Sequence, residues 1–145
     1  MFGRIIYRSK MSSMITKDDI GAIESHSQKA NHLRGITGAL IAFDGRFIQI
    51  LEGEQDQITA LTDIIRDDPR HYEFEVLQHV AVPEPRFSGW DMKMISAPSP
   101  DLRHCLTQLH QVFDDELSNI ELRARLCEGL IYIIAGQVEY PGMTA

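Results

Sequence analysis

Ile36-Thr37-Gly38-Ala39-Leu40-Ile41-Ala42-Phe43-Asp44-Gly45-Arg46-Phe47-Ile48-Gln49-Ile50-Leu51 decides how this chain is built. Two apolar runs flank Asp44-Gly45, a dipeptide suited to the positive φ angles of a tight two-residue turn, so the stretch predicts an antiparallel hairpin. Working outward, Gly3-Arg4-Ile5-Ile6-Tyr7-Arg8 predicts an earlier strand. It does not alternate cleanly, which suits a central position covered on both faces. Between this strand and the hairpin, Thr16 is a plausible N-cap, and Asp18 and Asp19 fall where a helix dipole favours anions. The helix carries Ile20, Ile23, Ser27 and Asn31 on one face and should end before Gly35. After the hairpin, Glu52-Gly53-Glu54 is expected to break the strand. Asp56 is expected to cap a second helix over residues 57–66, with Ile58, Leu61, Ile64 and Ile65 at helical spacing. Asp67-Asp68-Pro69 stops it, because proline cannot continue a helix. Residues 74–82 read as a fourth strand, Pro83-Glu84-Pro85 as a turn, and residues 90–95 as a short fifth strand.

The order β-α-β-β-α-β-β predicts an α+β, ferredoxin-like fold: a mixed sheet with two helices on one face. The strands are too apolar for the other face to stand in water. Ala97-Pro98-Ser99-Pro100 marks a boundary, and two helices follow, over about 101–113 and 118–134. They are expected to cover that second face. The expected organisation is therefore a domain over 1–96, a helical pair over 97–136, and a tail over 137–145.

Composition narrows the function classes. The chain has 145 residues, 43% hydrophobic and 24% charged, which suits a single soluble domain. A formal charge of -7 argues against nucleic acid as a partner. Cys105 and Cys127 stand far apart in helical patterns and read as reduced core residues. The histidine and carboxylate spacings form no metal site, and Met11, Met14, His26, His32, His104 and His110 receive no role. No run approaches the roughly 18 apolar residues of a membrane span. No signal peptide precedes the first strand, so a cytoplasmic location is expected.

Gln49 is the residue out of place. An amide inside an apolar strand costs free energy unless it is paired, and it carries both donors and acceptors that exchange places on rotation. Tyr7, Asn31 and Trp90-Asp91-Met92 stand where the fold could bring them to the same place. Singly, each has an ordinary structural explanation. Jointly they form an ordered set: Tyr7-Arg8-Ser9, then Asn31-x-x-x-Gly35-Ile36-Thr37-Gly38, then Phe47-x-Gln49-x-Leu51-Glu52-Gly53, then Asp68-x-Arg70-His71, then Gly89-Trp90-x-Met92.

In that order and spacing the sequence resembles the BLUF family, sensors of blue light that use FAD, from Gly3 to about Ser96. The resemblance implies a bound flavin, FAD with FMN also possible, lying between the first two helices against the sheet. It implies that Tyr7 is the electron and proton donor to the excited flavin and that Gln49 lies between Tyr7 and the ring. Asn31 would bond the polar edge of the ring. Asp68, Arg70 and His71 would lie near the flavin's side chain and ring rim, and Ser9, Trp90 and Met92 would report the state of the pocket. The chain departs from some relatives at Ala30, where they carry a larger side chain, and at Asp67-Asp68-Pro69, which is less basic than a phosphate site prefers. The chemistry of the residues agrees, because Gln49 and Asn31 can complement both the acceptors and the donor along a flavin's edge. Light-driven transfer from Tyr7 would leave Gln49 rotated or as its tautomer. The two states would differ by about one hydrogen bond, about 1 kcal/mol.

Three functions follow as expectations. The first is a photoreceptor that is not an enzyme and signals through its C-terminal helices to a partner protein or as a homodimer or larger oligomer. The second is a small enzyme of acylphosphatase type, but its loop Ser9-Lys10-Met11-Ser12-Ser13-Met14 lacks the glycines an anion-binding loop wants. The third is a light-insensitive flavin-binding regulator, for which the loss of Tyr7 or Gln49 would be the sign; both are present.

Overall fold

The computed structural model of the chain describes residues 1–139. It contains nine elements: β1 (Phe2–Met11), α1 (Lys17–Arg34), β2 (Thr37–Phe43), β3 (Arg46–Glu54), α2 (Gln55–Arg66), β4 (His71–Ala81), β5 (Lys93–Ile95), α3 (Pro100–Asp114) and α4 (Ile120–Glu139). They form two compact units, one of Met1–Ser96 and one that begins at Ala97.

The first unit is an α+β sheet module with strand order β4-β1-β3-β2-β5. Its neighbours are antiparallel except β2 and β5, which run parallel. The hairpin turn is the one the sequence predicts, with φ of 54° at Asp44 and 73° at Gly45. That is the positive pair a two-residue turn needs to match strand twist. Strand periodicity then sorts the side chains. Ile5, Leu40, Ala42, Phe47 and Leu51 share one face and form a core with Ile58 and Leu61 of α2, and with Ile20 and Ile23 of α1. Each fully buried Ile or Leu of this kind contributes about 2 kcal/mol. Tyr7 faces Gln49 across the β1–β3 ladder, and Gln49 faces Leu40 across β3–β2, so all three stand in one row on this face.

Thr16 caps α1 as expected, within a reciprocal box. Its hydroxyl accepts from the Asp19 N–H at 3.2 Å, and the Asp19 carboxylate accepts from the Thr16 N–H at 2.8 Å. Gly35 ends the helix at φ 67°.

Four expectations need correction. Glu52-Gly53-Glu54 does not break β3, which runs through Glu54. Glu52 stays in the strand because its buried carboxylate is fully engaged. Its Oε2 accepts from Arg4 Nε at 3.0 Å, and its Oε1 accepts from the Arg86 and Phe87 N–H groups at 2.7 and 3.1 Å. Asp56 is not a cap: α2 starts at Gln55 after Glu54, which makes no side-chain cap bond, while the Gln55 N–H bonds the Met1 carbonyl at 3.0 Å. β5 spans only Lys93–Ile95, because the chain just before it bonds outward, Gly38 donating to the Trp90 carbonyl at 3.0 Å. Finally, α4 continues through Glu139, beyond the expected end at 134 and into the expected tail; residues 140–145 of that tail lie outside the described residues.

In the second unit Ser99 caps α3, accepting from Leu102 N–H at 3.2 Å, with Pro100 at the first helical position. The turn into α4 is tied by Arg123, which donates to Ser118 Oγ at 2.7 Å and to the Asp115 carbonyl at 3.0 Å. Its guanidinium lies 5.0 Å from the Phe113 ring centre.

Two glycines separate backbone necessity from tolerance. A Cβ on Gly38 would fall 1.9 Å from the Ile50 carbonyl oxygen, whereas one on Gly21 meets nothing within 4 Å. Gly38→Ala is expected to destabilise the chain by about 3 kcal/mol or more, since backbone cannot move aside. Gly21→Ala, within α1, is expected to stabilise it by about 0.5–1 kcal/mol. Urea unfolding of both variants measures the contrast.

Candidate functional site

The helix-bearing face of the sheet holds a cleft between α1 and α2. Tyr7, Leu40, Phe47 and Gln49 form its floor. Ile23, His26, Ser27, Ala30 and Asn31 of α1 form one wall, and Leu61, Ile64 and Ile65 of α2 the other. Asp68, Arg70 and His71 close one end. The cavity volume is about 110 Å³, and the cleft is open at its mouth.

The Tyr7 hydroxyl donates to Gln49 Oε1 at 2.5 Å, and both residues are buried. Burial pushes the Tyr7 phenol well above its ordinary value, with the Asp68 carboxylate adding to the push, so Tyr7 is a neutral donor at physiological pH. The Gln49 amide nitrogen faces Met92 Sδ at 3.5 Å. A thioether is a weak acceptor, so the amide keeps most of its donor capacity. The Tyr7 ring stacks on Phe74 at 4.6 Å.

Asn31 is the one fully buried residue of α1. Its Nδ2 donates to the Asp91 carbonyl at 2.7 Å, while Gln28 Nε2 donates to the Met92 carbonyl at 3.2 Å. Two α1 amides thus hold the segment that carries Met92. His71 bridges β1 and α2: its Nδ1 lies 2.7 Å from Ser9 Oγ and its Nε2 2.6 Å from the Ile65 carbonyl. A carbonyl only accepts, so Nε2 carries the proton, and in the neutral ring Nδ1 accepts from the Ser9 hydroxyl. Asp68 and Arg70 form a two-pronged ion pair with contacts of 2.5–3.1 Å. The hydrogen bond from Arg70 holds the Asp68 carboxyl below its ordinary range, and Asp68 in turn raises Arg70.

The residues singled out from the sequence divide into three groups. Tyr7, Gln49, Asn31, Asp68, Arg70 and His71 line the cleft. Ser9 and Met92 stand behind it, joined to His71 and Gln49. Trp90 is apart: half-buried, it stacks on Phe87 at 5.7 Å, with the Lys93 ammonium 5.9 Å from its ring centre. Sequence reasoning gave no role to His26, which lines the cleft. Its place three residues beyond Ile23, and one before Ser27, on the face already marked as inward was the available signal.

The donor set fits a flavin at the ring end. Gln49 and Asn31 would supply both kinds of hydrogen-bonding group to one planar polar edge, between apolar walls. At the other end the only arginine or lysine of the cleft lining, Arg70, is already committed to Asp68.

Fold and cleft define a class, an α+β ligand-binding module with a buried phenol–amide pair at its floor. The family profile for "Sensors of blue-light using FAD" matches residues 2–93. The chain belongs to that family, BLUF. It is 30% identical over 114 residues to the photoactivated adenylate cyclase subunit beta of Euglena gracilis, covering 75% of this chain and 13% of that protein. It is 29% identical over 122 residues to the blue light- and temperature-regulated antirepressor BluF of Escherichia coli K12, covering 84% of this chain and 30% of that one. Among solved structures, BlrB, a BLUF protein in its dark state, superposes with a TM-score of 0.76 at 27% identity, over 94% of this chain and 96% of BlrB. The photo-activated state of BlsA gives a TM-score of 0.74 at 26% identity, over 90% and 95% of the two chains. The chain thus spans a small part of the curated relatives and nearly all of the single-module structures. Among the described residues, no helix is long and apolar enough to cross a membrane.

The Asp68–Arg70 pair sets a pH dependence. A depressed carboxylate pKa contributes stability above its ordinary value of 3.8, and this is lost as pH falls through the folded-state value. Urea unfolding between pH 5 and pH 2 is expected to show wild type losing stability faster than Arg70→Gln in the window below 3.8.

Proposed function

We propose that this chain is a blue-light photoreceptor module whose switch is the Tyr7–Gln49 pair, acting without catalysis of its own. The observation that carries this reading is the 2.5 Å bond from Tyr7 Oη to Gln49 Oε1 on the floor of the cleft. A bound flavin, FAD or FMN on the same ring contacts, supplies absorption in the blue and an excited state that accepts an electron. Tyr7 gives up that electron and releases its Oη proton toward Gln49. The Gln49 amide then exchanges the places of its donor and acceptor, by rotation or as its tautomer, and keeps the new pattern when both the electron and the proton have returned to Tyr7. Asn31 fixes the polar edge of the ring from α1. Asp68, Arg70 and His71 bound the cleft toward the flavin side chain, and Ser9 holds His71. The Gln49 Nε2 contact with Met92 Sδ depends on which way the amide faces, so Met92 feels the switch directly. Trp90, two residues before it, follows as part of the same segment.

Output leaves through the C-terminal helices, toward a protein partner or a second copy. Leu117, Ile120 and Tyr132 there are 94%, 82% and 74% exposed, apolar surface that a contact would cover. A cytoplasmic location fits the reduced, buried cysteines.

The test is a visible spectrum before and after blue light. Wild type is expected to be yellow and to shift red by several nanometres under blue light, as membership of the BLUF family implies. Tyr7→Phe and Gln49→Leu should both stay yellow and lose the shift; a normal photocycle in either removes the mechanism. Sedimentation in darkness and light is expected to show a dimer or larger species, and a monomer in both conditions removes that part.

A further inference from the structure

Glu52 has a place in the switch that its position on the far face of the strand conceals. It stands three residues after Gln49 on β3, so the two side chains point to opposite faces of the sheet. The Glu52 carboxylate is fully buried. Its Oε1 accepts from two successive backbone N–H groups, Arg86 and Phe87, in a stretch that belongs to neither helix nor strand. Its Oε2 takes Arg4 Nε. From that anchor the chain runs through a turn in which Trp90 N–H bonds the Phe87 carbonyl at 3.0 Å and the two rings stack. It then meets Gly38 at the Trp90 carbonyl, Asn31 at the Asp91 carbonyl and Gln28 at the Met92 carbonyl. It ends with Met92 against Gln49.

We infer that Glu52 is a positioning residue of the photoswitch, the fixed anchor that holds the Arg86–Met92 segment so that Met92 rests on the Gln49 amide. One strand thereby grips both ends of the same segment, by a carboxylate at its start and an amide at its end. When Gln49 changes its bonding pattern the amide end lets go, while the Glu52 end stays. The resulting movement is confined to Trp90-Asp91-Met92 instead of spreading to β4. The inference rests on the switch reading for its consequence in light, but the anchoring itself is independent of any flavin.

The flavin-free chain tests the anchor. Hydrogen exchange at the Arg86 and Phe87 amides is expected to be about 100-fold slower than at open-loop amides. Exchange there at open-loop rates overturns the inference, and this measurement needs no variant. The double variant Glu52→Leu/Arg4→Leu replaces the buried pair with apolar side chains, a change cores often accept. In it, the two loop amides are expected to lose protection. Oxidation of Met92 by hydrogen peroxide should quicken several-fold toward that of Met14, which is 84% exposed in the native fold. In the flavin-loaded double variant the red shift should remain, because Tyr7 and Gln49 are untouched, while thermal recovery changes by about threefold or more. Unchanged Met92 reactivity and unchanged recovery in a double variant with wild-type melting behaviour overturn the inference. Failure of that variant to fold leaves the decision with exchange in the native chain. A chain that takes up no flavin defeats the switch reading alone, since exchange and oxidation still report on the anchor.

Discussion

A primary amide inside an apolar sheet must find partners or destabilise the fold, and in this chain that requirement organises the site. Gln49 is met by a phenol on one side and a thioether on the other. The first is a strong partner and the second a weak one, so the amide is held firmly at its oxygen and loosely at its nitrogen. That asymmetry favours the orientation with the oxygen toward Tyr7, by the order of one hydrogen bond, about 1 kcal/mol. Burial keeps the Tyr7 phenol protonated, so that it can donate to Gln49.

The surroundings serve that pair by fixing everything else. His71 ties the end of α2 to β1 through Ile65 and Ser9. Asn31 and Gln28 tie α1 to the backbone just before β5. Glu52 ties the same segment from below. Apart from the Ser9 hydroxyl, each of these contacts is a side chain bonded to backbone, which positions chain without demanding a particular neighbouring side chain. The polar groups around the cleft are thus largely satisfied among themselves, a condition for a buried network to rigidify its surroundings.

Much of this was legible from the residues. Asp44-Gly45 announced the hairpin, Thr16 the start of α1 and Pro69 the end of α2, because each acts through local backbone geometry. Gln49 was visible as an amide where none should be free. Glu52 was misread for the same kind of reason: a lone charged residue beside glycine looks like a strand end. What kept it in the strand was Arg4, 48 positions earlier, together with two amides 34 and 35 positions later, and no local rule reports partners at that range. The start of α2 was missed likewise, since a tertiary bond to the Met1 carbonyl replaced a side-chain cap. Trp90 and Met92 could not be told apart by pattern, being two apolar residues on one short segment. The stacking of Trp90 on Phe87 and the seat of Met92 on Gln49 separate them.

The absence of any clearance between Gly38 and the Ile50 carbonyl has a mechanical meaning. On β3 the backbone fills the place a side chain on Gly38 would take, one residue away from Gln49, so only a residue without a Cβ lets the two strands pair there. Room for rearrangement beside Gln49 lies instead among side chains and toward β5, which pairs with β2 over three residues.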